Sequence, residues 1–231
     1  MVFKETITGV QNWFKYHISG SLELMGNFVQ HSEESALETA ERYRDDAEII
    51  EVEVHEDYSR AVEVHRGLDD ETWNMQALFI EYFPNLQRRS ALLTMYGLFE
   101  SELHMLCKLY EEEKKYSVSV YDLNGRGLHR IASYLDKVAG VAMHRDSVEW
   151  NNLIQIQKIR NICAHQDGSI LDKNGTEIEA IRKHIDSCEH LSVKHGDSEV
   201  FIDHGYLSYV YDVFTSYLQL IEKSIESTER A

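Results

Sequence analysis

A single proline, Pro84, and twelve glycines stand in a chain of 231 residues. Both residues interrupt helices: proline removes a backbone donor and clashes with the preceding turn, and glycine adds backbone freedom. A chain with so few interruptions is expected to be built from long helices. The side-chain spacing supports this. Leu92, Tyr96, Phe99, Leu103, Leu106 and Tyr110 recur at four- and three-residue steps, which places them on one stripe of a helix over about 85–114.

The same reading extends along the chain. A first amphipathic helix is expected over about 6–30, with Val10, Phe14, Met25 and Phe28 inward. Ser35 with Glu38 forms a capping-box pattern. After it Ala36, Ala40, Tyr43, Ala47, Ile50, Val54, Ala61 and Val64 recur mostly at three- and four-residue steps. That predicts one helix to about His65, on the order of 45 Å long. Gly67-Leu68-Asp69-Asp70 ends it, a further helix runs to Phe83, and Pro84 starts or kinks the next. Residues 116–125 read as a loop ending in Asn124-Gly125, followed by a helix over about 126–139. Asp146 with Glu149 opens a helix to about 164, and Gly168 stops it. A short helix is expected near 177–187 and a last one over about 204–227. Between them, Leu191-Ser192-Val193 and Val200-Phe201-Ile202 flank His195-Gly196-Asp197-Ser198 as a small hairpin. The expected class is all-α: an up-and-down helical bundle with one small β-hairpin insertion near 190–203. Residues 1–83 are read as a helical extension packed on a helical domain, 84–231.

Charge narrows the function. Twenty-three basic residues against forty acidic ones give a net charge of −17, which argues against broad nucleic-acid affinity. The imbalance is uneven: residues 1–83 carry −12, whereas 117–170 carry +1, with Arg126, Arg130, Lys137, Arg145, Lys158 and Arg160. A phosphate-binding surface is therefore expected in 117–170 first. Cys107, Cys163 and Cys188 are odd in number and widely spaced, and fit neither a disulfide framework nor a paired-cysteine zinc motif. With no signal-peptide layout at the N-terminus and no apolar stretch of spanning length, a reducing cytoplasm is the expected setting. His184, Cys188, His190, His195 and His204 match no standard zinc spacing, so no metal is expected, and no phosphate loop or dinucleotide fingerprint calls for a cofactor.

One position breaks the apolar pattern. On the helix before Gly168 the stripe runs Leu153, Ile156, position 160, Cys163, and position 160 is Arg160. A guanidinium on such a stripe is costly unless it is paired or faces a ligand or partner. Asn161 follows it and His165 lies five residues on, at the predicted helix end. The same Arg-x4-His spacing occurs at Arg60 and His65, inside the acidic stretch.

Arg160-Asn161-x3-His165 resembles the Arg-x(4–6)-His motif of HEPN domains, including the polar residue that often follows the arginine. The Tyr96-Gly97-Leu98-Phe99-Glu100 helix resembles that family's core helix, and the likeness covers about 85–227. It implies a metal-independent endoribonuclease acting on RNA as a homodimer. His165 would be the general base for a ribose 2′-OH, Arg160 would stabilise transition-state charge, and Asn161 would orient the histidine or the phosphate. Glu100 would stand behind Arg160 as its partner. The family's usual setting implies phage defence or toxin–antitoxin pairing, with an antitoxin protein as partner. In members restrained by adenylylation a tyrosine stands two residues after the histidine; here that residue is Asp167. The other reading is a non-catalytic helical scaffold, or an RNA- or protein-binding partner, on the same fold.

Overall fold

Helices form where apolar side chains are spaced by three and four residues, and give way where β-branched residues alternate. The structure, a computed structural model, describes residues 9–55, 58–194, 196 and 198–230. A 3-10 turn at Val10–Asn12 and a π-helical turn at Phe14–Ile18 lead into α1, Ser19–Asp46. Helix α1 runs without a break through the expected boundary near residue 30. Ser35 is an interior residue whose carbonyl accepts from Thr39 Oγ1 at 2.9 Å, rather than a cap.

The all-α expectation does not hold. The chain turns extended at Ala47 (ψ 131°) and forms β1, Glu48–His55, β2, Tyr58–His65, and β3, Leu68–Asp69, an antiparallel sheet in the order β1-β2-β3. Ile50 lies opposite Val62 and Val52 opposite Arg60. The expected helix to His65 is therefore a hairpin, with Glu56 and Asp57 outside the described residues. The three- and four-residue spacing of Ile50, Val54, Ala61 and Val64 coexisted with a two-residue one, Ile50, Val52, Val54 and then Val62, Val64. Stiff β-branched side chains favour the extended form, and the two-residue period won. Arg66 and Gly67 (φ 50° and 81°) make the two-residue turn into β3.

The hairpin is anchored at its base. His65, 5% exposed, sits edge-on to Phe79 (4.7 Å between ring centroids) and Tyr43 (5.6 Å), and Tyr43 stacks on Phe79 at 5.2 Å. The Tyr43 phenol donates to Glu63 Oε1 at 2.5 Å. Burial first, then the Glu63 carboxylate, pushes the Tyr43 phenol up to about 12. The folded chain thus holds this proton more tightly than the unfolded chain, whose phenol titrates near 10. The associated stability is complete below pH 10 and is lost as pH rises through 12. An ultraviolet titration of wild type minus Tyr43→Phe should show this phenol ionising near pH 12, and at lower pH in Glu63→Gln; ionisation near 10 in wild type would show that the hairpin base is not closed.

The remaining elements follow the expected order. A π-helical turn, Ala77–Tyr82, leads into α2, Phe83–Lys114, with Pro84 in its first turn, where a missing N–H costs little. Next come α3, Gly127–Tyr134, and α4, Val148–His165, which is capped by Ser147 Oγ accepting from Trp150 N at 3.0 Å. Then follow α5, Glu179–Asp186, the hairpin β4, Leu191–Lys194, and β5, Glu199–Ile202, and finally α6, Tyr206–Arg230. His195 and Asp197 of that hairpin's turn lie outside the described residues. One core joins the helices: Phe99 stacks on Phe214 at 4.3 Å, and Trp13, Ile18 and Met25 from the N-terminal segment are buried with them. Among the described residues no helix is long and apolar enough to cross a membrane.

Candidate functional site

Helix α4 turns Trp150, Leu153, Ile156, Ile159, Ile162 and Cys163 into the core. Ile159 fills the place the sequence pattern gave to position 160. Arg160 stands at the rim, half-buried, and its guanidinium carbon lies 5.4 Å from the centre of the Tyr96 ring on α2. This is a cation–π contact, which stabilises a guanidinium without neutralising it. Its Nη1 donates to Asn161 Oδ1 at 3.0 Å, and its Nε is buried with no hydrogen-bond partner among the described residues. Among those residues Arg160 also forms no ion pair.

Asn161 and His165 are both exposed and four residues apart on α4, which sets them on one face of the helix. The structure therefore joins Arg160 to Asn161 by a hydrogen bond; His165 shares a helix face with Asn161 without a hydrogen bond to it among the described residues, and stands about 140° round the helix from Arg160. Glu100 does not pair with Arg160. Its Oε1 accepts from Leu128 N at 2.9 Å and caps the first turn of α3. Both Glu100 and Arg160 act on Tyr96. Burial raises that phenol far above its ordinary value and the Glu100 charge raises it further, while the Arg160 charge and the Gln157 amide oppose them.

The turn after His165 is held by a residue that the motif did not reveal. Arg89 on α2 is buried and donates from Nη2 to Asp167 Oδ1 at 2.7 Å and from Nη1 to Glu199 Oε1 on β5 at 2.8 Å. Asp167 (φ 51°) and Gly168 (φ 80°) are left-handed, and Gly168 N closes back on Ile162 O at 3.0 Å. A Cβ at residue 168 would sit 3.0–3.2 Å from the Arg89 guanidinium, so glycine is required there for space as well as for φ. Val200 N then donates to Gly168 O at 2.9 Å. Arg89 thus clamps the end of α4 to β5 and fixes where His165 stands. Beside it, burial pushes the Cys163 thiol up to about 11 against the pull of Arg89, so this buried cysteine is no nucleophile at neutral pH. A sequence signal for Arg89 existed: the Leu92–Tyr96 stripe, run back one turn, lands on Arg88 and Arg89.

The second Arg-x4-His copy is dismantled by the fold. Arg60 lies on β2, paired with Glu71, and His65 is walled in by Tyr43 and Phe79. His65 also lines a cleft of about 410 Å³ with Thr39, Arg42, Arg66, Phe79 and Gln87, to which α4 contributes nothing. Near the α3 end of α2, exposed Tyr121 lies 3.0 Å from His104 Nε2 through its hydroxyl, and Arg130 is pinned by Gly125 O at 2.8 Å. No group of three His, Cys, Asp or Glu side chains fit to hold a metal ion occurs among the described residues. Comparison with protein-family models, with curated proteins and with solved structures finds no match in any of the three.

Proposed function

We propose that this chain is a metal-independent endoribonuclease of HEPN type, working through Arg160, Asn161 and His165. One observation supports this above the others: Arg160 donates to the exposed Asn161 and, among the described residues, has no carboxylate to neutralise it. An inert bundle would be expected to pair such a guanidinium with an acid. In the proposed reaction His165 takes the proton from a ribose 2′-OH, and the 2′-oxygen attacks the adjacent phosphorus. The bond to the 5′-oxygen breaks and that oxygen takes a proton from water. The products are a 2′,3′-cyclic phosphate and a 5′-OH. Arg160 stabilises the charge on the equatorial oxygens. Defence or toxin–antitoxin biology is the setting this reading suggests. Asp167 offers no phenol for adenylylation and is already bound to Arg89, so a restraining partner would act elsewhere.

A single Arg-Asn-His set gives few groups to hold a scissile phosphate, and a two-fold axis would double them. We expect light scattering at tens of micromolar to return a dimer; a clean monomer would remove the second set. The test of the chemistry is an RNA with one 2′-deoxy nucleotide at the mapped cleavage position. Cutting there should stop while neighbouring positions are still cut. Equal cutting of the deoxy substrate would sink 2′-OH attack.

A further inference from the structure

The β1–β2 hairpin, outside the proposed catalytic residues, leaves the outer edge of β1 unpaired among the described strands. Every residue of β1 is exposed, Ile49 at 76%. Strand β1 is the edge of its sheet, with β2 as its one neighbour among the described strands. Ile50 and Val52 are exposed on one side, with Ile49, Glu51 and Glu53 on the other, and a register shift between Glu53 and His55 takes Val54, also exposed, out of this alternation. Contiguous exposed apolar side chains beside free backbone donors and acceptors form a template for another strand.

Charge decides which strand. Strand β1 carries Glu48, Glu51 and Glu53 and no lysine or arginine, and the nearby Arg60 is taken by Glu71. A second copy of β1 would set glutamates against glutamates, and like charges opposite one another destabilise a strand pair. The residues that disfavour self-pairing select a basic partner. We propose that β1 is a docking edge for an extended segment of another protein in which apolar residues alternate with lysine or arginine, added as a fourth strand. Backbone hydrogen bonds would supply the affinity, and Ile50, Val52 and the glutamates the selectivity.

The test uses the full chain and labelled ten-residue peptides alternating Val with Lys, or Val with Glu, followed by fluorescence anisotropy. The Val-Lys peptide should bind saturably below about 100 μM, and amide exchange should slow in β1. A Val-Lys peptide N-methylated at every second residue should bind at least tenfold more weakly, because it cannot complete the ladder. The double variant E51K/E53K, altered only at exposed positions, should reverse the preference toward Val-Glu. Equal binding of the N-methylated peptide would reduce the effect to unspecific charge attraction and overturn the docking edge, as would no saturation at 1 mM. Self-association of the free chain that Val52→Asp abolishes would make a second copy the occupant and overturn the basic partner.

Discussion

Replacing His165 with alanine is expected to slow RNA cleavage by about 10²–10⁴-fold, the usual loss when a general base is removed. Arg160→Ala should lose about 10²–10³-fold, as when one donor to a developing oxyanion is deleted. Neither change should unfold the chain, because His165 is exposed and Arg160 stands at the rim of the core with its side chain on Tyr96. The matching control is Arg60→Ala, whose partner Glu71 is itself about half exposed. It should leave cleavage unchanged and shift stability by no more than about 1 kcal/mol. His65→Ala is a poorer control than the motif spacing suggested, since it opens the packing between Tyr43 and Phe79. Single-turnover rates with circular dichroism melts check all three. Wild-type cleavage by the His165 variant would remove the histidine from the reaction.

The second large effect falls on Arg89, which touches none of the proposed catalytic residues. Arg89→Leu leaves Glu199 poorly solvated and without its cation, and releases Asp167. Breaking a buried pair by removing one partner costs about 3–5 kcal/mol. Asp167 regains water readily, so the loss should sit near 3 kcal/mol, a fall in melting temperature of roughly 6–12 °C for a chain of this size. Adding Glu199→Gln to Arg89→Leu should recover part of it, because the uncompensated carboxylate carries much of the loss. Cleavage should fall in Arg89→Leu even at temperatures where the fold is intact, since the turn that fixes His165 loses its clamp. Thermal melts of the single and double variants decide this; an unchanged melting temperature in Arg89→Leu would show that the clamp is not formed.

The helices from Phe83 onward were legible because their apolar stripes are long and have one period. The Leu92–Tyr110 stripe could be nothing but a buried helix face, and the β4–β5 hairpin followed from two short β-branched runs around a turn. The 48–65 segment was misread because its residues satisfy two periods, and glutamates between the valines did not separate helix from strand. The β-branched two-residue period favours the extended form, and the anchoring of His65 among the Tyr43 and Phe79 rings holds it. At the candidate site, spacing alone fits Arg60 and His65 equally; Asn161 after the arginine and the predicted helix end at His165 single out Arg160, Asn161 and His165. The Tyr96 ring beneath Arg160 is not visible in the sequence, and neither are the partners of Arg89, whose place on the α2 stripe is, since each contact spans more than sixty residues. Glu100, expected as a partner of Arg160, instead accepts from Leu128 N and caps α3.

We propose that this chain cuts RNA through Arg160, Asn161 and His165 without a metal. The most direct measurement incubates the purified wild-type chain and His165→Ala with an end-labelled single-stranded RNA in excess EDTA and analyses the new ends. Cleavage is expected by wild type alone, leaving a 2′,3′-cyclic phosphate on one fragment and a 5′-OH on the other. No cleavage, cleavage that EDTA stops, or ends bearing a 5′-phosphate would contradict it.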